Sequence, residues 1–187
     1  MVATVDQGSQ ASPGSRPPDL HFTMTGEKFE FQSSAKGGDG VFRFRWTLAR
    51  GKKGPPEHIH RTESETFAIV SGMLRIWLDG VAQDLAPGQA VTVRPGVRHK
   101  FKNPGTEPVV VDVSLDGPLQ EDALVPLAHR LGGSTKMRLA DLFTMIVHAT
   151  EVEASAPPSR VGGAIMRGLA AVCRLFGARA LPRAGAW

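Results

Sequence analysis

Residues 57–65 read Glu57-His58-Ile59-His60-Arg61-Thr62-Glu63-Ser64-Glu65, and this short run constrains the fold more than any other part of the chain. Side chains two apart on a β-strand share a face, so His58 and His60 can point into one interior and chelate one ion. Glu65 follows across the loop-like Arg61-Thr62-Glu63-Ser64. It opens the apolar run Phe67-Ala68-Ile69-Val70 and shares the parity of Phe67 and Ile69, which selects it over the competing Glu63 as the carboxylate partner. Further along, Gly88, Val91 and Val93 lead to Pro95-Gly96-Val97-Arg98-His99-Lys100-Phe101-Lys102-Asn103. A strand, a proline-glycine turn and a histidine in that order would return His99 beside the first two imidazoles, giving three histidines and one glutamate.

The sequence around these residues is patterned for short strands. Phe42, Phe44, Trp46 and Leu48 alternate with Arg43, Arg45 and Thr47, and Val109, Val111, Val113 and Leu115 repeat the period of two. Asp79-Gly80, where both residues tolerate positive φ, predicts a hairpin after Leu74, Ile76 and Leu78. Pro87-Gly88 and Pro95-Gly96 mark further turns. An all-β core is expected from about residue 20 to 117. Residues 1–19 are poor in apolar groups and predict a loose arm.

From residue 118 to 187 the spacing turns helical. Leu139, Leu142, Phe143, Ile146 and Val147 recur at three and four residues behind a Gly132-Gly133-Ser134 break. After the linker Ala156-Pro157-Pro158-Ser159, a last helix is expected from about Gly162 to Phe176. Its stripe of Ile165, Leu169, Val172 and Phe176 opposes Arg160, Arg167 and Arg174. That stripe is expected to pack on the barrel or in a dimer contact, ahead of lying on a membrane surface.

The two histidine-bearing stretches resemble the paired motifs of the cupin superfamily. The first motif runs Gly, five residues, His-x-His, three or four residues, Glu, six residues, Gly, and His58, His60, Glu65 and Gly72 match it. The second runs Gly, five residues, Pro-x-Gly, two residues, His, three residues, Asn, and Gly88, Gly96, His99 and Asn103 match it. Lys52 stands where the first glycine is expected, and Arg94-Pro95 shifts the proline by one place. The resemblance implies a small β-barrel of the double-stranded β-helix or jelly-roll type, with a helical C-terminal extension. It implies a divalent metal ion on His58, His60, Glu65 and His99, iron or manganese favoured, with nickel, copper or zinc also accepted by such a shell.

The function implied is a metal-dependent, dioxygenase-like oxidoreductase acting on a small organic molecule. A non-catalytic binding or sensory barrel and a metal-dependent isomerase or decarboxylase are the alternatives. The net charge of +4 is spread over strands instead of being clustered, which argues against nucleic acid. The lone Cys173 and an N-terminus without a long apolar stretch lead to a cytoplasmic expectation, and a homodimer is expected from the resemblance. Other polar residues receive bland readings. His21, His129 and His148 are taken as structural, Asn103 as a turn-holder, Glu63 and Arg98 as solvent-facing, and Trp77 as packed under the tail or in a dimer contact.

Overall fold

A computed structural model describes residues 16–22, 27–131, 138–152 and 155–187. The expected arm as far as residue 15 and the Gly132-Gly133-Ser134 break lie outside the described residues. Nine strands come first: β1 (Leu20–Phe22), β2 (Glu27–Ser33), β3 (Phe42–Leu48), β4 (Glu65–Ser71), β5 (Leu74–Leu78), β6 (Val81–Leu85), β7 (Ala90–Val93), β8 (His99–Lys102) and β9 (Val109–Leu115). Three helices follow: α1 (Leu119–Leu131), α2 (Leu139–Val152) and α3 (Arg160–Leu175).

The strands form two sheets and not one closed ring. One has the order β1-β2-β3-β9-β4-β7, the other β6-β5-β8, all pairs antiparallel. Period two decides what each strand buries: β3 buries Phe42, Phe44, Trp46 and Leu48, and β9 buries Val109, Val111, Val113 and Leu115. The outward face of β3 carries Arg45 directly opposite Asp112, joined by two hydrogen bonds of 2.8 and 2.9 Å. The sheets meet through aromatic rings. Phe101 of β8 lies edge-on to Trp46 of β3 at 4.9 Å and to Phe67 of β4 at 5.2 Å.

The hairpin at Asp79-Gly80 has φ of 47° and 87° at the two turn residues, as its sequence requires. Trp77 points outward from β5, and the ammonium groups of Lys100 and Lys102 ride over its ring at 5.9 and 5.7 Å. Within this chain two lysine side chains from the next strand, and not the helical tail, flank that indole.

The helices are tied to the strands by buried polar contacts. Glu121 of α1 accepts from Ser34 Oγ (2.6 Å) and from the Ala35 amide (2.8 Å). Pro126 sits inside α1 and cannot donate to the Asp122 carbonyl one turn back. His148 of α2 fills that vacancy, donating from Nε2 at 2.7 Å, while its Nδ1 accepts from the Leu181 amide at 3.3 Å. The Asp122 carboxylate accepts from the Ala184 amide (3.0 Å) and pairs with Lys36, which pins the C-terminal segment over α1.

The last helix turns most of its larger apolar stripe away from the rest of the chain. It is capped by Ser159, whose hydroxyl accepts from the Gly162 amide, and it packs on α2 through Ala170 and Cys173, with Phe176 of the larger apolar stripe reaching the ring of Phe143 at 5.9 Å. Ile165, Leu169, Val172 and Phe176 are instead exposed, because the small residues on the neighbouring face allow α2 to approach more closely. No helix among the described residues is long and apolar enough to cross a membrane.

Two glycines at positive φ separate conformational strain from crowding. Gly51 has φ of 67° and open space around it, whereas at Gly72, with φ of 76°, a Cβ would stand 2.6 Å from the Pro108 carbonyl oxygen. In urea denaturation, Gly51→Ala is expected to cost about 1 kcal/mol and Gly72→Ala about 3 kcal/mol. Equal losses would contradict the packing assigned to Gly72.

Candidate metal centre

His58, His60, Glu65 and His99 each offer one donor atom, and these four atoms lie within 4.8 Å of one another. The backbone explains why. His58 and His99 face each other across an antiparallel bridge and exchange both hydrogen bonds, His58 N to His99 O at 3.0 Å and His99 N to His58 O at 2.9 Å. Directly paired residues project to the same face, so the two rings lie 4.2 Å apart between centroids. His60 is two residues on from His58, and the Pro95-Gly96 turn closes against it, Gly96 N donating to His60 O at 2.7 Å. Glu65 opens β4 on the inward parity of Phe67 and Ile69.

The donor set is arranged for a cation. His58 Nδ1 donates to the Pro56 carbonyl (2.9 Å) and His99 Nδ1 to the Val97 carbonyl (3.1 Å), so each neutral ring turns the lone pair of Nε2 to the centre. The Nε2 atoms of His60 and His99 stand 3.1 and 3.2 Å from the same carboxylate oxygen of Glu65. Acceptors facing one another at such distances require a proton or a metal ion between them. A proton satisfies one pair, whereas a divalent ion satisfies all four donors, so these residues fit such an ion.

The electrostatics agree with ligand-competent states near neutral pH. Burial, reinforced by the neighbouring His99, lowers His58 to about 4, which keeps its ring neutral. Burial pushes the Glu65 carboxyl up, but positive charge shared with the His60 and His99 rings, a proton there when no cation is bound, outweighs it and holds the group at about 2.

Glu63 corrects an expectation. It was expected to face solvent, yet it is buried, and its carboxylate accepts from the Leu119 and Gln120 amides at 2.6 and 3.3 Å. It therefore caps the N-terminus of α1, where a negative charge meets unpaired N–H groups. Gly117 makes room for it, since a Cβ there would meet Glu63 Oε1 at 2.4 Å. Arg98 is solvent-facing as expected, 3.4 Å from Asp79. Asn103 holds its turn, donating to the Leu48 and Glu107 carbonyls and accepting from the Gly105 amide.

Three of the donors, His58, His60 and Glu65, line a cavity of about 570 Å³ between the strands and the helices. Phe44, Trp46 and Phe67 line the strand side, and Leu124, Leu127 and Met145 close the helix side. The helical extension also touches the segment that carries His58 and His60. Ile59, between the two histidines, exchanges two backbone hydrogen bonds of 2.9 Å with Ala156, in the segment before α3. Sequence reasoning missed one further cavity group, Glu27 of β2, which is 8% exposed and accepts from Trp46 Nε1 at 3.2 Å. Its one sequence signal was parity, because Glu27 alternates in step with Phe29 and Phe31.

Two antiparallel sheets with three inward histidines and a glutamate make a candidate metal site in a mostly β fold. Residues 44–116 match the family model described as a cupin domain, and this stretch of the chain is one. The chain is 38% identical over 50 residues to a protein named probable oxidoreductase patJ from Aspergillus clavatus and, to the same degree, to its namesake from Penicillium expansum. The aligned stretch is 26% of this chain but spans only 16% and 15% of those two proteins. Among solved structures, the cupin domain of Schizosaccharomyces pombe Cnp3 superposes with a TM-score of 0.45 at 16% identity, covering 51% of this chain and 68% of that one.

The two neighbouring glutamates are expected to part company on substitution. Glu63→Ala should retain one cation per chain by elemental analysis while losing about 1 kcal/mol of stability with its cap. Glu65→Gln should weaken cation binding more than about tenfold. The reverse pattern would make Glu63 the ligand.

Proposed function

We propose that this chain is a metal-dependent enzyme of the dioxygenase-like oxidoreductase kind, acting on a small organic molecule. In this reading His58, His60, Glu65 and His99 hold one divalent cation, with iron(II) or manganese(II) favoured by the mixed nitrogen and oxygen set. The observation that carries it is the convergence of four buried or half-buried donors, three of which line a predominantly apolar cavity. The patJ proteins, named as probable oxidoreductases, add support over the 50 residues they share with this chain.

A cation of this kind, when bound, supplies Lewis acidity and, if redox-active, electrons for dioxygen. The chain's own residues supply the rest. Hydrogen bonds from Nδ1 of His58 and His99 to backbone carbonyls fix both rings in the tautomer that presents Nε2. Phe67, Phe101 and Trp46 exclude water from the strand side, and α1 and α2 exclude it from above. We read residues 20–117 as the barrel unit and residues 118–187 as an extension that completes the cavity instead of standing apart from it.

Anaerobic loading with iron(II), followed by oxygen-uptake assays over phenols and diketones, is expected to find at least one compound that consumes oxygen. His60→Ala should abolish that uptake. One equivalent of bound iron with compounds that bind but are never turned over would overturn the enzymatic reading in favour of a binding or sensory barrel.

A further inference from the structure

The cavity has two polar poles, and the strand register separates them. Glu65 pairs with Leu115 and, through β9, lies in the row of Phe42, whereas Glu27 pairs with Leu48 at the other end of β3. Six residues along a strand span about 20 Å at ~3.3 Å per residue. Both glutamates line one cavity of about 570 Å³, and a volume of that size drawn out between distant rows is a slot and not a sphere.

The wall between the poles is aromatic, with Phe67, Phe44, Trp46 and Phe29 in succession. Among the described residues, no lysine or arginine lines it. A phosphate or carboxylate carried on the body of a ligand would be desolvated there without a cation to pair with, which costs several kcal/mol. At the far pole the Trp46 indole N–H fixes one oxygen of the Glu27 carboxylate. A buried carboxylate accepts hydrogen bonds and repels anions, so it reads the end of whatever lies in the slot.

We propose that the site takes an elongated organic molecule with an uncharged, apolar body, a metal-binding oxygen at the His58 end and a hydrogen-bond donor at the other, and that Glu27 selects that distal donor. The substrate class rests on the metal reading above; the slot and the role of Glu27 do not. Phosphorylated and polyanionic compounds are excluded by the same wall that favours aromatic and alkyl ones.

The test uses the zinc-loaded full chain, in which binding is read without turnover. Calorimetry is run with linear alkyl hydroxamates of four to ten carbons and with the matching primary amides. Their far ends carry a methyl, hydroxyl or carboxylate group. Affinity is expected to rise about fourfold per methylene until the slot is filled. At the filling length, the hydroxyl end should bind at least ten times more tightly than the carboxylate end, and Glu27→Gln should erase that preference while zinc stoichiometry stays at one. Should Glu27→Gln not fold, Trp46→Phe, which removes the indole N–H and keeps a smaller aromatic ring in the wall, should weaken the preference.

Affinity independent of chain length would overturn the slot. A preference for hydroxyl over carboxylate that survives Glu27→Gln would overturn the role of Glu27. Hydroxamates no tighter than their amides, in a series that still lengthens favourably, would overturn the metal reading and support the slot.

Discussion

Two hydrogen bonds carry the site. His58 and His99 exchange N–H and C=O across an antiparallel bridge, and this pairing alone brings two imidazoles from stretches forty residues apart to one point on one face. Every other donor is placed relative to that pair: His60 by strand periodicity, Glu65 by the strand that follows the intervening loop. A slip of one residue in the bridge would turn His99 outward and Lys100 inward, because the period of a strand is two. The turn of Arg94-Pro95-Gly96-Val97 guards against such a slip. It is closed by a hydrogen bond from Val97 N to Arg94 O and anchored to His60 by Gly96 N.

The helical extension is bound into the same arrangement. Ala156 pairs with Ile59 between His58 and His60, Glu63 in the loop between His60 and Glu65 caps α1, and the hydrogen bond left open by Pro126 in α1 is taken by His148 of α2. Two of these links join residues beside the donors to the extension, and the third joins its first two helices to each other. The extension thus fixes the shape of the cavity and steadies the segment that carries His58 and His60. The exposed stripe of α3 lies outside this network.

What the sequence disclosed followed from backbone periodicity. The strands of Phe42–Leu48 and Val109–Leu115, the Asp79-Gly80 hairpin, and the four donors rest on period two and on glycine at positive φ, which are local properties. What it concealed depends on tertiary partners. Glu63 looked solvent-facing because nothing in its neighbourhood announces that a helix N-terminus, 56 residues on, needs an acceptor. Glu27 was overlooked because its partner, the Trp46 indole, lies across a strand pair. On α3, amphipathicity shows which face is apolar, whereas the face laid against α2 within the chain is the one with the smaller residues, Ala170 and Cys173.

The central claim is that one cation is shared by four side chains brought together by the His58–His99 bridge. Anomalous diffraction at the zinc edge from crystals of the zinc-loaded chain tests it most directly. The account predicts a single strong peak about 2.0–2.2 Å from Nε2 of His58, His60 and His99 and from a carboxylate oxygen of Glu65. A zinc ion held without His99, or held elsewhere while these four residues keep to themselves, would contradict it.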